Sequence, residues 1–503
     1  MTISVLAAGS ATAVNPIPPN DPLIEYRRLF FADVQPTIAY LNRFTQELLS
    51  DPNRNFNNQY AETQPGVAVR FCTTSNSVTA RFQYVPGYHN IDIFSIYQDG
   101  IRTEVISGLT LNVTSNNPGQ SVTYEIVCPS YSNVAFIGLD LDDGVSLSAC
   151  SPINKPRYVA FGDSITHSAG QDGTSDTSYD WVLARDKGWE LFNLAVGGAK
   201  VGPPIGSMLD NESFDLATVL WGFNDWNSEN NLPLYQSRYN QFLDNLRAVH
   251  TQPVYCFTPI HTTKLTPNKN NGYTMDQYRD TVRQIVATRR AAGDNNLFVI
   301  NGEDLTTADD LYDGIHLTHE GAASFADLLM DFVMLPPPTS LPNAPDNLNA
   351  TTVDAREIHL SWTDNADNEN YFKIERSQND TSNWTQIDTV RANVTSYIDA
   401  DLPLFTTFYY RVRAYNYLGD SPYSNEANTS TWAHGDFDGD NDVDQEDFGH
   451  LQQCMTGSGN QQNDPDCLDT LLDGDQDVDL EDFVIFQACM SGANIPPTPG
   501  CAD

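Results

Sequence analysis

The pattern of apolar residues changes near residue 154, and this change constrains the fold more than any other feature of the chain. Residues 20–153 alternate apolar and polar side chains in short runs such as "SVTARFQYV" and "VTYEIVC", which is typical of strands with one buried face. Residues 154–334 instead alternate short apolar runs such as "RYVAF" and "PVYCF" with helical segments such as "MDQYRDTVRQIVATRRAAG". We therefore expect a jelly-roll-like antiparallel β-sandwich, followed by a three-layer α/β domain with a parallel sheet.

A proline-rich stretch, "LPPPTSLPNAPDN", marks the end of the α/β domain, and we assign residues 335–344 to a linker. Residues 345–431 return to short alternating strands, with a tryptophan in "IHLSWTD" and a long late strand in "FYYRVRAYN". This stretch resembles a fibronectin type III domain, which implies a second β-sandwich. The remaining residues, 432–503, are strongly acidic and are expected to form a small α-helical domain around two calcium loops.

Composition indicates where the protein works. Residues 1–19 contain a short apolar run with an Ala-x-Ala-like end, which is typical of a secretory leader. The eight cysteines form no C-x-x-C pattern, which favours disulfides and therefore an oxidising compartment. A formal net charge of −40 argues against nucleic acid and anionic membranes as partners, and no apolar run is long enough to insert into a membrane. We expect a secreted or cell-surface protein.

The acidic residues after His434 are spaced as in a calcium loop. In "DFDGDNDVDQEDF", acids occupy positions 1, 3, 5, 7, 9 and 12 when Asp436 is counted as position 1, and such side chains can converge on a hard cation. The spacing recurs in "LLDGDQDVDLEDF", where position 1 is Leu471, which cannot bind a metal. The candidate calcium ligands are Asp436, Asp438, Asp440, Asp442 and Asp447 in the first loop, and Asp473, Asp475, Asp477 and Asp482 in the second.

The two acidic loops together resemble a type I dockerin, the duplicated calcium-loop module of secreted polysaccharide-degrading enzymes. An aspartate at position 12, where standard EF-hands have glutamate, fits dockerins. The resemblance implies structural calcium and a cohesin-like or cell-surface partner. The simplest disulfide pairings in this module are Cys454–Cys467 and Cys489–Cys501, although a sequence alone does not fix the connectivity.

Four short motifs follow predicted strands of the α/β domain. They are "FGDSIT" with Ser164, "NLAVGG" with Gly198, "GFND" with Asn224, and "DGIH" with Asp313 and His316. The carboxyl ends of parallel strands meet at one edge of a sheet, so we expect these motifs to lie together. They offer a nucleophile, hydrogen-bond donors for an oxyanion, and a base with an orienting acid, which are the groups that acyl transfer needs.

The four motifs, in this order, resemble the SGNH (GDSL-type) hydrolase family over roughly residues 154–334, which implies a flavodoxin-like fold. By this resemblance Ser164 is the nucleophile, His316 the general base and Asp313 the group that orients the imidazole. The backbone N–H groups of Ser164 and Gly198 and the side chain of Asn224 would form the oxyanion hole. Catalysis would need no cofactor.

Several neighbouring residues have alternative interpretations. Gly197 is the second choice to Gly198 as an oxyanion donor, and His319 is a rival base, although the D-x-x-H spacing favours His316. We interpret His167 as a solvated surface residue in preference to a substrate contact. Asp225 is expected to contact Asn224 and hold it in place without touching the substrate.

The accompanying domains suggest the substrate. Dockerin-like and fibronectin-like modules accompany secreted carbohydrate-active enzymes, and the sequence has no long apolar lid segment. We expect a secreted O-acetylesterase that acts on a polysaccharide such as acetylated xylan through an acetyl-Ser164 intermediate. The alternatives are a broad short-chain carboxylesterase or lipase, and a non-catalytic, calcium-dependent protein that binds carbohydrate or a surface. The first domain would either bind sugar or wall one side of the active site.

Overall fold

The computed structural model describes residues 14–90, 92–168, 173–229, 231–269, 272–354, 356–440, 442–498 and 501, which fall into two compact units divided after Pro337. Most of the predicted leader lies outside the described residues. Its assignment to residues 1–19 is too long, because Val14–Ile17 already pairs with Ser132–Asp142 as a strand of the first sandwich. No helix in the described part of the chain has the length and apolarity that a bilayer crossing requires.

The first sandwich consists of two antiparallel sheets, in the orders β3-β4-β11-β6-β9 with β1 on β11, and β12-β5-β10-β7-β8 with β2 on β5. Alternating side chains such as Val69, Phe71 and Tyr124 point between the sheets and form the core. The strands are β1 Val14–Ile17, β2 Glu25–Arg27, β3 Phe31–Val34, β4 Ala39–Asn42, β5 Ala68–Thr73, β6 Ser77–His89, β7 Ile93–Gln98, β8 Ile101–Ser107, β9 Thr110–Thr114, β10 Val122–Val127, β11 Ser132–Asp142 and β12 Leu147–Ser148.

The central domain is built on a five-stranded parallel sheet, as predicted. Its strand order, β14-β13-β15-β16-β17, is the 2-1-3-4-5 order of flavodoxin-like folds. Helices α3 and α7 pack together on one face, and α5 and α6 pack on the other. The elements are β13 Arg157–Gly162, α3 Tyr179–Lys187, β14 Glu190–Asn193, α4 Ile205–Met208, β15 Leu216–Leu220, α5 Leu232–Arg247, β16 Val254–Phe257, α6 Met275–Ala291, β17 Leu297–Ile300 and α7 His319–Phe332.

The predicted border between the two domains is crossed by a segment of the first domain. Helices α1 (Gln46–Ser50) and α2 (Asn58–Ala61) leave the sandwich after β4, and their Leu48, Leu49 and Ala61 are buried in the core of the central domain. The sandwich keeps its own core, but this segment packs into the core of the α/β domain, and the two domains form one compact unit.

The second unit begins with the β-sandwich expected over residues 345–431. One sheet has the order β18-β19-β22, and the other has the order β21-β20-β23-β24 with β25 on β23. Trp362, the tryptophan of "IHLSWTD", is buried against Phe372 in the core. The strands are β18 Asp346–Asp354, β19 Glu357–Thr363, β20 Tyr371–Gln378, β21 Thr385–Arg391, β22 Ser396–Asp399, β23 Thr407–Asn416, β24 Gly419–Asp420 and β25 Ala427–Ser430.

Each acidic loop of the C-terminal module leads into a ten-residue helix, α8 (Gln445–Cys454) or α9 (Leu480–Cys489). The two repeats bind each other reciprocally, since the N–H of Thr456 donates to Val478 O and the N–H of Ser491 donates to Val443 O, both at 2.9 Å. Disulfides join the predicted pairs Cys454–Cys467 and Cys489–Cys501, and another joins Cys72 to Cys150 in the first sandwich.

Candidate active site

Ser164 lies in a tight turn directly after β13. Gly162 is required there, because a Cβ at this position would lie 2.3 Å from Thr166 Oγ1. The Asp163 carboxylate accepts the N–H of Ile165 at 3.0 Å, and its carbonyl oxygen accepts the N–H of His167 at 3.0 Å. These contacts fix the turn and leave the Ser164 hydroxyl at the carboxyl end of the sheet, facing a cleft.

The loop between β17 and α7 brings Asp313 and His316 to Ser164. His316 Nε2 lies 2.9 Å from Ser164 Oγ, and His316 Nδ1 lies 2.8 Å from Asp313 Oδ2. The other carboxylate oxygen of Asp313 accepts the backbone N–H groups of Ile315 and His316 at 3.0 and 2.8 Å. Burial alone would raise the pKa of Asp313, but hydrogen bonds from the His316 backbone and ring outweigh it and hold this pKa below its usual value.

The structure separates the two glycines of the "NLAVGG" motif. The N–H of Gly197 donates to His167 Nδ1 at 3.0 Å, so this N–H is already used. The N–H of Gly198 has no acceptor within the described part of the chain, and a Cβ at this residue would meet nothing within 4 Å. Gly198 has a φ of +73°, which a side chain would oppose. Gly198, rather than Gly197, therefore offers a free donor at the cleft.

Ser164 and Asn224 supply the other predicted donors. The N–H of Ser164 also has no acceptor among the described residues. Asn224 follows β15 and donates one N–H of its amide to Ala199 O at 3.1 Å, which holds the side chain beside the glycine loop. All of the predicted catalytic and oxyanion residues line the same cleft except Asp313, which contacts it through His316.

The structure also settles the positions of three neighbouring residues for which the sequence offered alternative interpretations. His167 was predicted to be a solvated surface residue, which is wrong: it is fully buried. Asp225 contacts the Val201 N–H at 3.2 Å and so supports the loop after Gly198, whereas the sequence suggested that it supports Asn224. His319 is the first residue of α7 and does not line the cleft.

The first sandwich forms one wall of this cleft, whose volume is about 660 Å³. From the sequence we could not decide whether this domain borders the active site. None of its lining residues was predicted, because no local sequence pattern distinguishes them. The tyrosines at 60 and 88 are in edge contact, with ring centroids 4.7 Å apart. The wall residues from the sandwich and its α1–α2 segment are Tyr60, Tyr88, Asn90 and Tyr131, and the central domain adds Gly197, Gly198, Phe223, Asn224, Asn227, Tyr312 and Ile315.

Asp225 makes the stability of the domain sensitive to pH. Burial raises the pKa of its carboxyl to about 8 from an ordinary 3.8. The unfolded chain therefore releases this proton first, and stability falls as the pH rises from about 4 toward 8. When the pH is raised from 4 to 8, we expect the Tm of the wild type to fall relative to that of Asp225→Asn, because only the wild type carries this carboxyl. Asp210→Asn, on the surface, is the control, and an equal Tm difference at both pH values would contradict this account.

The two acidic loops differ in structure. In the first loop, carboxylate oxygens of Asp436, Asp438 and Asp440 lie within 4.8 Å of one another, and a second group combines Asp442 and Asp447 with Asp444. Burial, followed by the charge of Asp447, raises the pKa of Asp436 to about 6, so this side chain is held in an electronegative environment.

The second loop does not bring its candidate ligands together. Within residues 471–482, all of which are described, no three acids converge as they do in the first loop. At position 12 the loops are alike, since buried Asp482 accepts the N–H groups of Leu472, Asp473 and Asp479 as Asp447 accepts those of Phe437, Asp438 and Asp444. Leucine at position 1 removes the ligand around which such a group would form.

Comparison with known proteins supports the domain interpretation. Residues 160–323 match the GDSL-like lipase/acylhydrolase family, and residues 343–430 match the fibronectin type III domain. These two predictions are confirmed, whereas the dockerin-like module stays a prediction. No relative among curated proteins matches the sequence.

Solved structures share the fold of the first unit. The salicylyl-acyltransferase SsfX3 from a tetracycline biosynthetic pathway is 18% identical, with a TM-score of 0.54 over 63% of this chain and 96% of that chain. A putative GDSL-like lipase from Bacteroides ovatus is 17% identical, with a TM-score of 0.52 over 63% of this chain and 95% of that chain. A family two carbohydrate esterase from Cellvibrio japonicus aligns more loosely, at 14% identity and a TM-score of 0.47 over 64% of this chain and 97% of that chain.

Proposed function

Because the central domain is that of a carboxylic ester hydrolase, we propose that this protein is a secreted O-acetylesterase that removes acetyl groups from a polysaccharide. The observation that carries the proposal is the line of hydrogen bonds from Ser164 through His316 to Asp313 at the floor of a tyrosine-lined cleft.

The proposed reaction has two halves. Ser164 Oγ attacks the ester carbonyl carbon while His316 Nε2 takes its proton, and Asp313 holds Nδ1–H and stabilises the imidazolium. The oxyanion that forms accepts from the N–H groups of Ser164 and Gly198 and from Asn224. The intermediate expels the sugar oxygen, which takes the proton from His316 to become a hydroxyl, and acetyl-Ser164 remains. Water, deprotonated by His316, then attacks this ester, and acetate is released as Ser164 Oγ takes the proton back from His316.

The cleft lining favours a sugar over a long acyl chain. Tyrosine and asparagine side chains provide hydroxyl and amide groups around Ser164, whereas purely apolar side chains are limited to Phe223 and Ile315 among the described lining residues. Tyrosine rings combine an apolar face with a polar edge, which suits a pyranose ring with its hydroxyls. Secretion is supported by the disulfides, which persist in oxidising compartments.

The substrate is tested by measuring acetate released from acetylated xylan beside a series of nitrophenyl esters from C2 to C8. We expect acetate release, and a kcat/KM that falls as the acyl chain lengthens. Cleavage of long-chain esters alone, with kcat/KM rising toward C8, would identify the carboxylesterase or lipase alternative and reject the proposal.

We also propose that the first acidic loop binds a structural calcium ion. Asp436, Asp438 and Asp440 offer three carboxylates in one group, and hard oxygen ligands of this kind suit Ca²⁺. Calcium would neutralise acids that otherwise repel one another and so stabilise the C-terminal module. We propose that the module then holds the enzyme to a cohesin-like or cell-surface partner.

Calcium titration of the full chain should give one tight site, lost in Asp436→Asn and kept in Asp473→Asn, the same change at position 3 of the second loop, where position 1 is Leu471. At about 100 times the dissociation constant, binding should stabilise the module by about 2.7 kcal/mol, seen as a higher Tm. Two equal sites, or unchanged binding in Asp436→Asn, would contradict the assignment.

A further inference from the structure

A buried polar network lies directly beneath the loop formed by residues 193–199, here called the oxyanion loop. Arg43, Thr63 and His167 are each at most 1% exposed. The proposed chemical step uses none of them. Arg43 and Thr63 come from the first domain, and His167 lies three residues after Ser164 in the same turn, so the network joins the two domains at the site.

His167 sits at the centre of this network. Its Nδ1 accepts the N–H of Gly197 at 3.0 Å, and its Nε2 lies 2.9 Å from Thr63 Oγ1. Because a backbone N–H can only donate, Nδ1 must be unprotonated and the ring proton must be on Nε2. The Thr63 hydroxyl donates onward to Tyr60 O at 2.8 Å, so every donor in this chain has an acceptor.

The surroundings keep the imidazole neutral. Burial, with the nearby charge of Arg43, holds the pKa of His167 well below its usual value and outweighs a hydrogen bond to the Ser130 backbone, which acts the other way. A protonated ring would present a donor to the Gly197 N–H and break the contact. Tyr131 packs against the ring at a tilt of 44°, with centroids 4.4 Å apart, and closes this position from the cleft side.

Arg43 ties the same loop to the first domain. Its Nη1 donates to the carbonyl oxygens of Asn193 and Ala195 at 2.9 and 2.8 Å, and its Nε donates to Thr63 O at 2.7 Å. The start of the oxyanion loop is thus fixed by Arg43. Gly197 and Gly198, further along the loop, have the greatest backbone freedom of any residues, and of their two N–H groups only that of Gly197 has an acceptor among the described residues, His167 Nδ1.

We propose that His167 is the anchor of the two glycines, a positioning residue that fixes the Gly197 N–H so that the next N–H, that of Gly198, faces the reacting carbonyl. This inference rests on the proposed function, because it assigns a purpose to the Gly198 N–H. Without the anchor, the loop would spend part of its time with this donor turned away, and the transition state would lose an interaction while substrate binding stayed the same.

Two variants separate the contacts of the ring. In His167→Asn, the side-chain oxygen reaches the place of Nδ1 and can accept the Gly197 N–H, whereas His167→Gln reaches the place of Nε2 and keeps only the Thr63 side. For nitrophenyl acetate we expect Gln to lower kcat about 10- to 100-fold with KM within about twofold, and Asn to stay within about threefold of the wild type. Both lose the ring and its packing on Tyr131, so similar Tm values would show that stability does not explain the difference.

An equal loss of kcat in both variants, or wild-type kcat in His167→Gln, would overturn the inference. Nitrogen-15 NMR of the wild-type enzyme labelled at histidine gives a test that needs no variant: it should show a neutral His167 with the proton on Nε2, and a proton on Nδ1 would overturn the inference equally. The variant Ser164→Ala shows whether a failure concerns only the inference about His167 or the proposed function as well. If Ser164→Ala is inactive and His167→Gln is fully active, only this inference fails; if Ser164→Ala stays active, the proposed function fails.

Discussion

Ser164→Ala should lower kcat for nitrophenyl acetate by about 10⁴-fold or more, because the covalent route through acetyl-Ser164 is lost. The donors at Gly198 and Asn224 remain, so a small residual rate above that of water is expected. The hydroxyl is partly exposed, and among the described residues its side-chain hydrogen bond is to His316, so the Tm should change by no more than about 2 °C.

The control for this variant is Ser207→Ala, the same change at an exposed position of α4. It should leave kcat and Tm at wild-type values. A Ser164→Ala enzyme that keeps a tenth or more of the wild-type kcat would show that another group carries the reaction.

His316→Ala should have the next largest effect, a loss of about 10³- to 10⁴-fold in kcat at neutral pH, because Ser164 Oγ then has no base at 2.9 Å. Removing the imidazole side chain in this variant leaves a space between Asp313 and Ser164. Added imidazole should enter it and restore part of the rate, which a loss of structure would not allow.

His319→Ala tests the rival base in the same assay. His319 begins α7 outside the cleft, so kcat should stay within about threefold of the wild type. If His319→Ala were the more damaging change, the roles of the two histidines would have to be exchanged.

Local sequence was sufficient to predict that Ser164, Asp313 and His316 lie together, because each follows a strand of one parallel sheet, and the topology of such a sheet brings strand ends together. The preference for Gly198 over Gly197 as the oxyanion donor rested on the family resemblance alone. Only the packing of His167 beneath the loop decides which N–H is already used.

The residues that the sequence did not reveal are those that depend on contacts between domains. Tyr60, Tyr88 and Tyr131 reach the cleft from the first domain, and no spacing in the chain predicts that sandwich loops would meet the α/β domain. His167 was misplaced for the same reason: a histidine in a turn after a strand is usually solvated, but here Tyr131 and Thr63 cover it.

The most direct test of the central claim is to find the acetyl group on the enzyme. The protein is mixed with nitrophenyl acetate, quenched in acid within the first turnovers and digested, and the peptides are examined by mass spectrometry. The account predicts one acetyl group on Ser164, absent from Ser164→Ala and accumulating at a lower rate in His316→Ala. Turnover by the wild type with no acetyl group on Ser164, or with the acetyl group on another residue, would contradict it.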